Sequence, residues 1–265
     1  MFYPLVNFSD QKLYGVVTLC NFPPNNWEIK EASAKKIFLT YVYNGKWLHH
    51  YVDTIQHGEM RSFKYEEFSN ILPNDAMGLL SLSIEDLPQE SDVLPKLSQN
   101  KTSLPQWRAT VGLSTDRTWS SYQGEIEPFP PKASLLSFSP FMQHGNGIKN
   151  YMILMNIEAS PIIRSGELKV YAAHNKKQYF SQKVKTNHAN LLALDESGLC
   201  EDDLAVMLCP EMAGIPLYLS VNKDSSQMSL EHSHPPNCTV VLGERWKSQV
   251  ALKKQWYQAL NEATV

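Results

Sequence analysis

Ile37-Phe-Leu-Thr-Tyr-Val-Tyr43, then Asn44-Gly45, then Trp47-Leu-His-His-Tyr-Val-Asp-Thr54 is the stretch on which the fold turns. The first run is almost entirely β-branched, aromatic or aliphatic, the residue types that fit a pleated, half-buried surface. Asn-Gly accepts positive φ at little cost, so it suits a tight hairpin turn and sends the chain back along Trp47 to Thr54 as a second strand. His49 and His50 are neighbours on that returning strand, so their rings face opposite ways and make a poor chelating pair. Working outward, Tyr14 to Leu19 (YGVVTL) has the same chemistry, and Gly78 to Ile84 (GLLSLSI) alternates with period two. Four strands and no long helix are expected between Lys12 and Glu85.

From Tyr151 the same grammar returns. Tyr151 to Ile157 (YMILMNI) resembles Gly15 to Phe22 (GVVTLCNF), with an Asn closing the apolar run at Asn156 as at Asn21. Leu168 to Ala173, the polar turn that follows and Tyr179-Phe180 resemble the Ile37 hairpin, and Pro216 to Val221 (PLYLSV) is matched to Leu79 to Ile84. The matched pieces lie roughly 135 residues apart each time, which points to an internal duplication. Between them, Trp107 to Leu113 and Ser134 to Phe138 read as further strands, and Glu127-Pro-Phe-Pro-Pro131 marks the boundary. The last stretch differs: Trp246, Val250, Tyr257 and Leu260 recur near helical spacing, with Lys253, Lys254 and Gln255 assigned to other faces. The expected fold is therefore mainly β: two tandem jelly-roll-like β-sandwich domains, residues 1–130 and 131–265, closed by a C-terminal amphipathic helix that docks on a sheet.

Composition limits the function. Of 265 residues, 24 are Lys or Arg and 27 are Asp or Glu, a net charge of −3, so the basic excess of a phosphate-backbone binder is missing and no nucleic-acid partner is expected. Cys20, Cys200, Cys209 and Cys238 form neither a CxxC pair nor a dense disulfide pattern, and read mostly as buried thiols. No positively charged, apolar leader opens the chain, and no run reaches the roughly 18 to 20 apolar residues that cross a bilayer. A cytoplasmic protein without membrane contact is expected. Neither a glycine-rich phosphate loop nor a Gly-x-Ser-x-Gly elbow is present, which disfavours nucleotide-fold enzymes and serine hydrolases.

Two stretches concentrate the side chains that carry chemistry. In Thr118-Trp-Ser-Ser-Tyr122-Gln-Gly-Glu125, with Trp107-Arg108 before it, aromatic rings offer flat faces to sugar C–H surfaces. Arg108, Gln123 and Glu125 offer directional bonds to hydroxyls or a carboxylate. The competing reading makes Trp107 and Trp119 core residues, with Arg108 and Glu125 an ordinary ion pair. In Leu230-Glu-His-Ser-His234-Pro-Pro, strand alternation puts His232 and His234 on one face and Glu231 on the other. That pair could hold a divalent metal if Cys238, His57, His144 or His188 completed the ligand set. Glu125 and Glu231 are the candidate acid/base carboxylates of an enzymatic alternative. The expected site gathers Trp107, Arg108, Tyr122, Gln123, Glu125, Glu231, His232 and His234 around a small-molecule ligand, a saccharide or sugar acid. No cofactor is required, apart from the divalent-metal alternative at His232 and His234. A module for protein association, including homo-oligomers, is the third reading.

Gly166-Glu-Leu-Lys-Val-Tyr171, His188-Ala-Asn leading to Leu194-Asp195, and Ile215-Pro-Leu-Tyr-Leu-Ser220 together resemble the small β-sandwich of the sensory-rhodopsin-transducer-like family, with a fainter echo in the first half. The resemblance implies a compact sandwich used for binding and association. It transfers no catalytic residue, and the duplication, the terminal helix and the His232-Ser-His234-Pro-Pro ending depart from it.

Overall fold

In the computed structural model, residues 1–21, 34–73, 76–97, 109–139, 147–195, 204–232 and 244–260 are described. The Asn44-Gly45 turn has φ of 48° and 74° at its two residues, the doubly positive geometry of a tight hairpin. It joins two strands of a first half built from β1 (Tyr3–Leu5), β2 (Asn7–Phe8), β3 (Leu13–Cys20), β4 (Lys35–Tyr43), β5 (Lys46–Ile55), β6 (Met60–Lys64), β7 (Gly78–Ser83), β8 (Glu90–Ser91), β9 (Thr110–Ser114) and β10 (Trp119–Gln123). The second half has β11 (Leu135–Ser139), β12 (Ile148–Asn156), β13 (Ser165–Ala172), β14 (Gln178–Lys185), β15 (His188–Ala193), β16 (Ala205–Cys209), β17 (Ile215–Asn222) and β18 (Met228–His232), followed by helix α1 (Glu244–Ala259). The protein is mainly β, with antiparallel sheets and one C-terminal helix.

Both halves pair their strands in one order. The sheet β1-β7-β4-β5, extended by β8, corresponds strand for strand to β11-β16-β13-β14. Likewise β6-β3-β9-β10 corresponds to β15-β12-β17-β18, with β2 added beside β3. This order corrects one match made from sequence. Pro216 to Val221 lies in β17, whose counterpart is β9; the counterpart of β7 is β16. Short apolar strands resemble one another, and only the pairing partners tell them apart.

Burial explains why the halves read so differently. Strand β3 alternates strictly, with Leu13, Val17 and Leu19 inside and Tyr14, Val16 and Thr18 half-buried on the outer side. Its counterpart β12 is buried on both sides: Met152 and Leu154 enter the second sandwich core, while Ile153 and Met155 join a cluster shared with the first half. That shared cluster takes Trp47, Leu79, Leu113 and Phe129 from the first half, and Leu217, Leu219 and Leu230 from the second. Each such side chain contributes roughly 1.5–3 kcal/mol on burial, so the halves are held as one unit. Hydrogen bonds set their register: Trp47 Nε1 and Leu94 N both donate to Ala159 O, at 3.0 and 2.8 Å, and Thr115 Oγ1 donates to Ser225 O at 2.9 Å.

Helix α1 docks as expected, on the outer face of the β11-β16-β13-β14 sheet, where Tyr257 and Leu260 meet Tyr171, Val206 and Leu208. Tyr257 donates its hydroxyl proton to Leu135 O at 2.6 Å. Lys253, placed on another face by the sequence reading, instead lies against the sheet: its Nζ donates to Ser134 O at 2.5 Å and sits 5.9 Å from the Tyr257 ring centre. A lysine stem packs on apolar surface while its ammonium finds a carbonyl, which helical periodicity alone does not show. Burial lowers its pKa from the ordinary lysine value.

Candidate functional site

The two stretches singled out by sequence do approach each other. Strands β10 and β18 are the corresponding edge strands of corresponding sheets, and they face one another across the junction of the halves. The Tyr122 and His232 rings are tilted by 42° with centroids 5.2 Å apart. Met228 and Leu230 pack into the shared cluster, and His232 follows them at period two, on the same face; Glu231 is exposed, at the opposite phase of the strand.

This seam is packed rather than open. Tyr122 lies against both the shared cluster and the first sandwich core. Its ring folds back over Gly124, where an added Cβ would stand 2.6 Å from the ring Cζ, so only glycine fits. The buried hydroxyl has no hydrogen-bond partner among the described residues. Burial, reinforced by the negative charge of Glu125, raises the Tyr122 phenol pKa. Gln123 is exposed and Glu125 half-buried. Trp107, Arg108, His234 and Cys238 lie outside the described residues. Among the described residues no group of three His, Cys, Asp or Glu comes together as a metal site requires.

An open surface lies on the other side of β10. Trp119, a core residue on the competing sequence reading, is 65% exposed. The sheet register arranges its neighbours in rows across the strands. The first row is Trp119, Ser114 and Tyr14; the second is Ser121, Gly112, Val16 and Lys64; the third is Gln123, Thr110, Thr18 and Ser62. Strands in a sheet are about 4.8 Å apart, so the two aromatic residues of the first row are anchored about 10 Å from each other with a serine between. Thr18 and Ser62 hydroxyls pair at 2.7 Å, which fixes the far end. The sequence signal for this face was the alternation of Tyr14, Val16 and Thr18 with core residues. Sheet pairing was needed to bring Trp119 beside them.

A second polar feature is wholly internal. His49 is 6% exposed on β5, with Nδ1 2.9 Å from Thr40 Oγ1 and Nε2 2.9 Å from Ser91 Oγ. Ser91 Oγ donates onward to Val93 O at 2.8 Å, so it accepts from the Nε2–H, and the Thr40 hydroxyl donates to Nδ1. Burial brings the imidazole pKa down to about 4. His50 is exposed, as strand alternation requires.

Compared with models of known protein families, with curated proteins and with solved structures, the chain matches none.

Proposed function

We propose that this chain is a saccharide-binding protein whose recognition surface is the open face of the β6-β3-β9-β10 sheet. The observation that carries the reading is Trp119, 65% exposed and in one row with Tyr14. Indole and phenol rings cover the C–H face of a sugar ring, and their spacing about two strands apart fits an oligosaccharide better than one monosaccharide. Ser121, Gln123, Thr110 and Ser114 supply neutral donors and acceptors, which suit hydroxyl groups. The described face carries no Arg and one Lys, which favours a neutral sugar over the sugar acid also considered from sequence.

The repeated pairing order supports an internal duplication in which the two copies took different roles. In the second copy the corresponding face is apolar and attaches to the first half; in the first copy it faces solvent. A cytoplasmic setting belongs to the same proposal and rests on the sparse cysteine pattern. No described helix is long and apolar enough to cross a membrane.

The test is a thermal-shift and calorimetric screen against neutral oligosaccharides, run on the native chain and on Trp119→Ala. A ligand at 100 times its Kd stabilises by about 2.7 kcal/mol. The expected result is saturable binding that weakens at least about tenfold in Trp119→Ala, while the variant's own melting temperature stays unchanged. Absence of binding to every sugar, or equal binding by Trp119→Ala, refutes the proposal; in the first case a role in protein association takes its place.

A further inference from the structure

A groove of about 440 Å³ opens where the two halves meet. Its floor is apolar: Met77 is buried in the shared cluster, and Val42 packs against it. One wall is the β4–β5 hairpin around Asn44-Gly45; the other is the segment Pro161-Ile162-Ile163. Two consecutive isoleucines stand in water there, Ile162 at 64% and Ile163 at 48% exposure. Tyr43 faces the groove from the hairpin at 49% exposure.

The walls are held in place. Ala159 O, two residues before Pro161, accepts from both Trp47 Nε1 and Leu94 N. Asn187, at the groove's end, uses its amide on structure: Oδ1 accepts from Glu158 N at 2.7 Å and Nδ2 donates to Ser160 O at 2.8 Å. Fixed walls reduce the ordering cost of binding. The volume falls in the roughly 300–1,000 Å³ range of small-molecule sites. The polar side chains of the described lining are Tyr43, Asn44, Asn187 and His188, and none of these residues is Asp, Glu, Lys or Arg, so among the described residues an ionic ligand finds no carboxylate, ammonium or guanidinium to offset its lost hydration.

We infer that this groove binds an uncharged, largely apolar small molecule, at a site separate from the Trp119 face. The experiment uses two probes with a common anilinonaphthalene body: neutral N-phenyl-1-naphthylamine and its sulfonated analogue, 8-anilinonaphthalene-1-sulfonate. Fluorescence titration of the full chain should give one saturable site for the neutral probe, with the sulfonate at least about tenfold weaker. Ile162→Asp and Ile163→Lys, both at exposed positions and checked by circular dichroism, should each weaken the neutral probe by at least about tenfold. Trp119→Ala should leave it unchanged, which separates this site from the saccharide proposal. The inference is overturned if the neutral probe shows no saturable binding or the sulfonate binds as well. It is also overturned if folded rim variants bind normally, or if sedimentation shows a dimer that Ile162→Asp abolishes, which would make the occupant a second copy.

Discussion

Lowering the pH from 7 to 5 should cost the protein about 2 kcal/mol of stability through His49 alone. Folding holds this imidazole neutral, with a pKa of about 4, against about 6.5 for a histidine in an unfolded chain. Between those values the unfolded state binds the proton and the folded state does not, so stability falls as pH falls. Each pH unit in that window is worth about 1.4 kcal/mol, which gives about 2 kcal/mol lost by pH 5, about 3 by pH 4, and only about 0.4 more below as the folded state takes up the proton. The geometry agrees in direction: the buried ring is flanked by hydroxyls, not by a carboxylate that would stabilise its cation. Urea titrations at pH 7 and pH 5 of the native protein and of His49→Gln provide the measurement. Glutamine does not titrate, so the difference between the two proteins' losses removes the contributions of carboxylates and other histidines. If both lose the same stability within about 0.5 kcal/mol, His49 is not the buried neutral group described and the reasoning fails.

Three further outcomes are expected. Gly112→Ala places a Cβ 2.4 Å from Ser120 O and 2.8 Å from Ser121 Cβ; forcing β9 and β10 apart should lower stability by about 1–3 kcal/mol in chemical denaturation and weaken saccharide binding. Leu217→Ala hollows the cluster shared by the halves and should cost about 2–5 kcal/mol, with calorimetry still showing one transition because the halves unfold together. Tyr257→Phe removes the donor to Leu135 O at the helix–sheet contact and should cost about 0.5–1.5 kcal/mol, read as a lower midpoint in urea.

The hairpin, the outer strands and the helix were legible because each rests on local chemistry. Asn44-Gly45 needs positive φ, Tyr14 to Leu19 alternates, and the Tyr257 to Leu260 end has one apolar stripe. Strand β16 (AVMLC) shows no alternation, because the helix covers its outer face and the sandwich core covers the other. The likeness of the two halves' strand grammar was legible, but matching β17 to β7 erred because PLYLSV and GLLSLSI have similar composition and different partners. At the site, the approach of the Tyr122 and His232 stretches was anticipated, yet Tyr122 proves a packing residue and Trp119 the exposed ring. Alternation assigns two faces to a strand; it does not say which one another half of the molecule will cover.

That asymmetry has a bearing on synthesis. The β15-β12-β17-β18 sheet is apolar on both faces, and one face finds its cover in first-half residues that include Trp47, Leu79 and Leu113. A ribosome delivers those partners first, so the self-adhesive half emerges after the residues that cover it. Were the halves exchanged in order, an unshielded sheet carrying Ile153, Leu217 and Leu219 would leave the exit tunnel with nothing to meet but its neighbours on the polysome, the circumstance in which nascent chains aggregate.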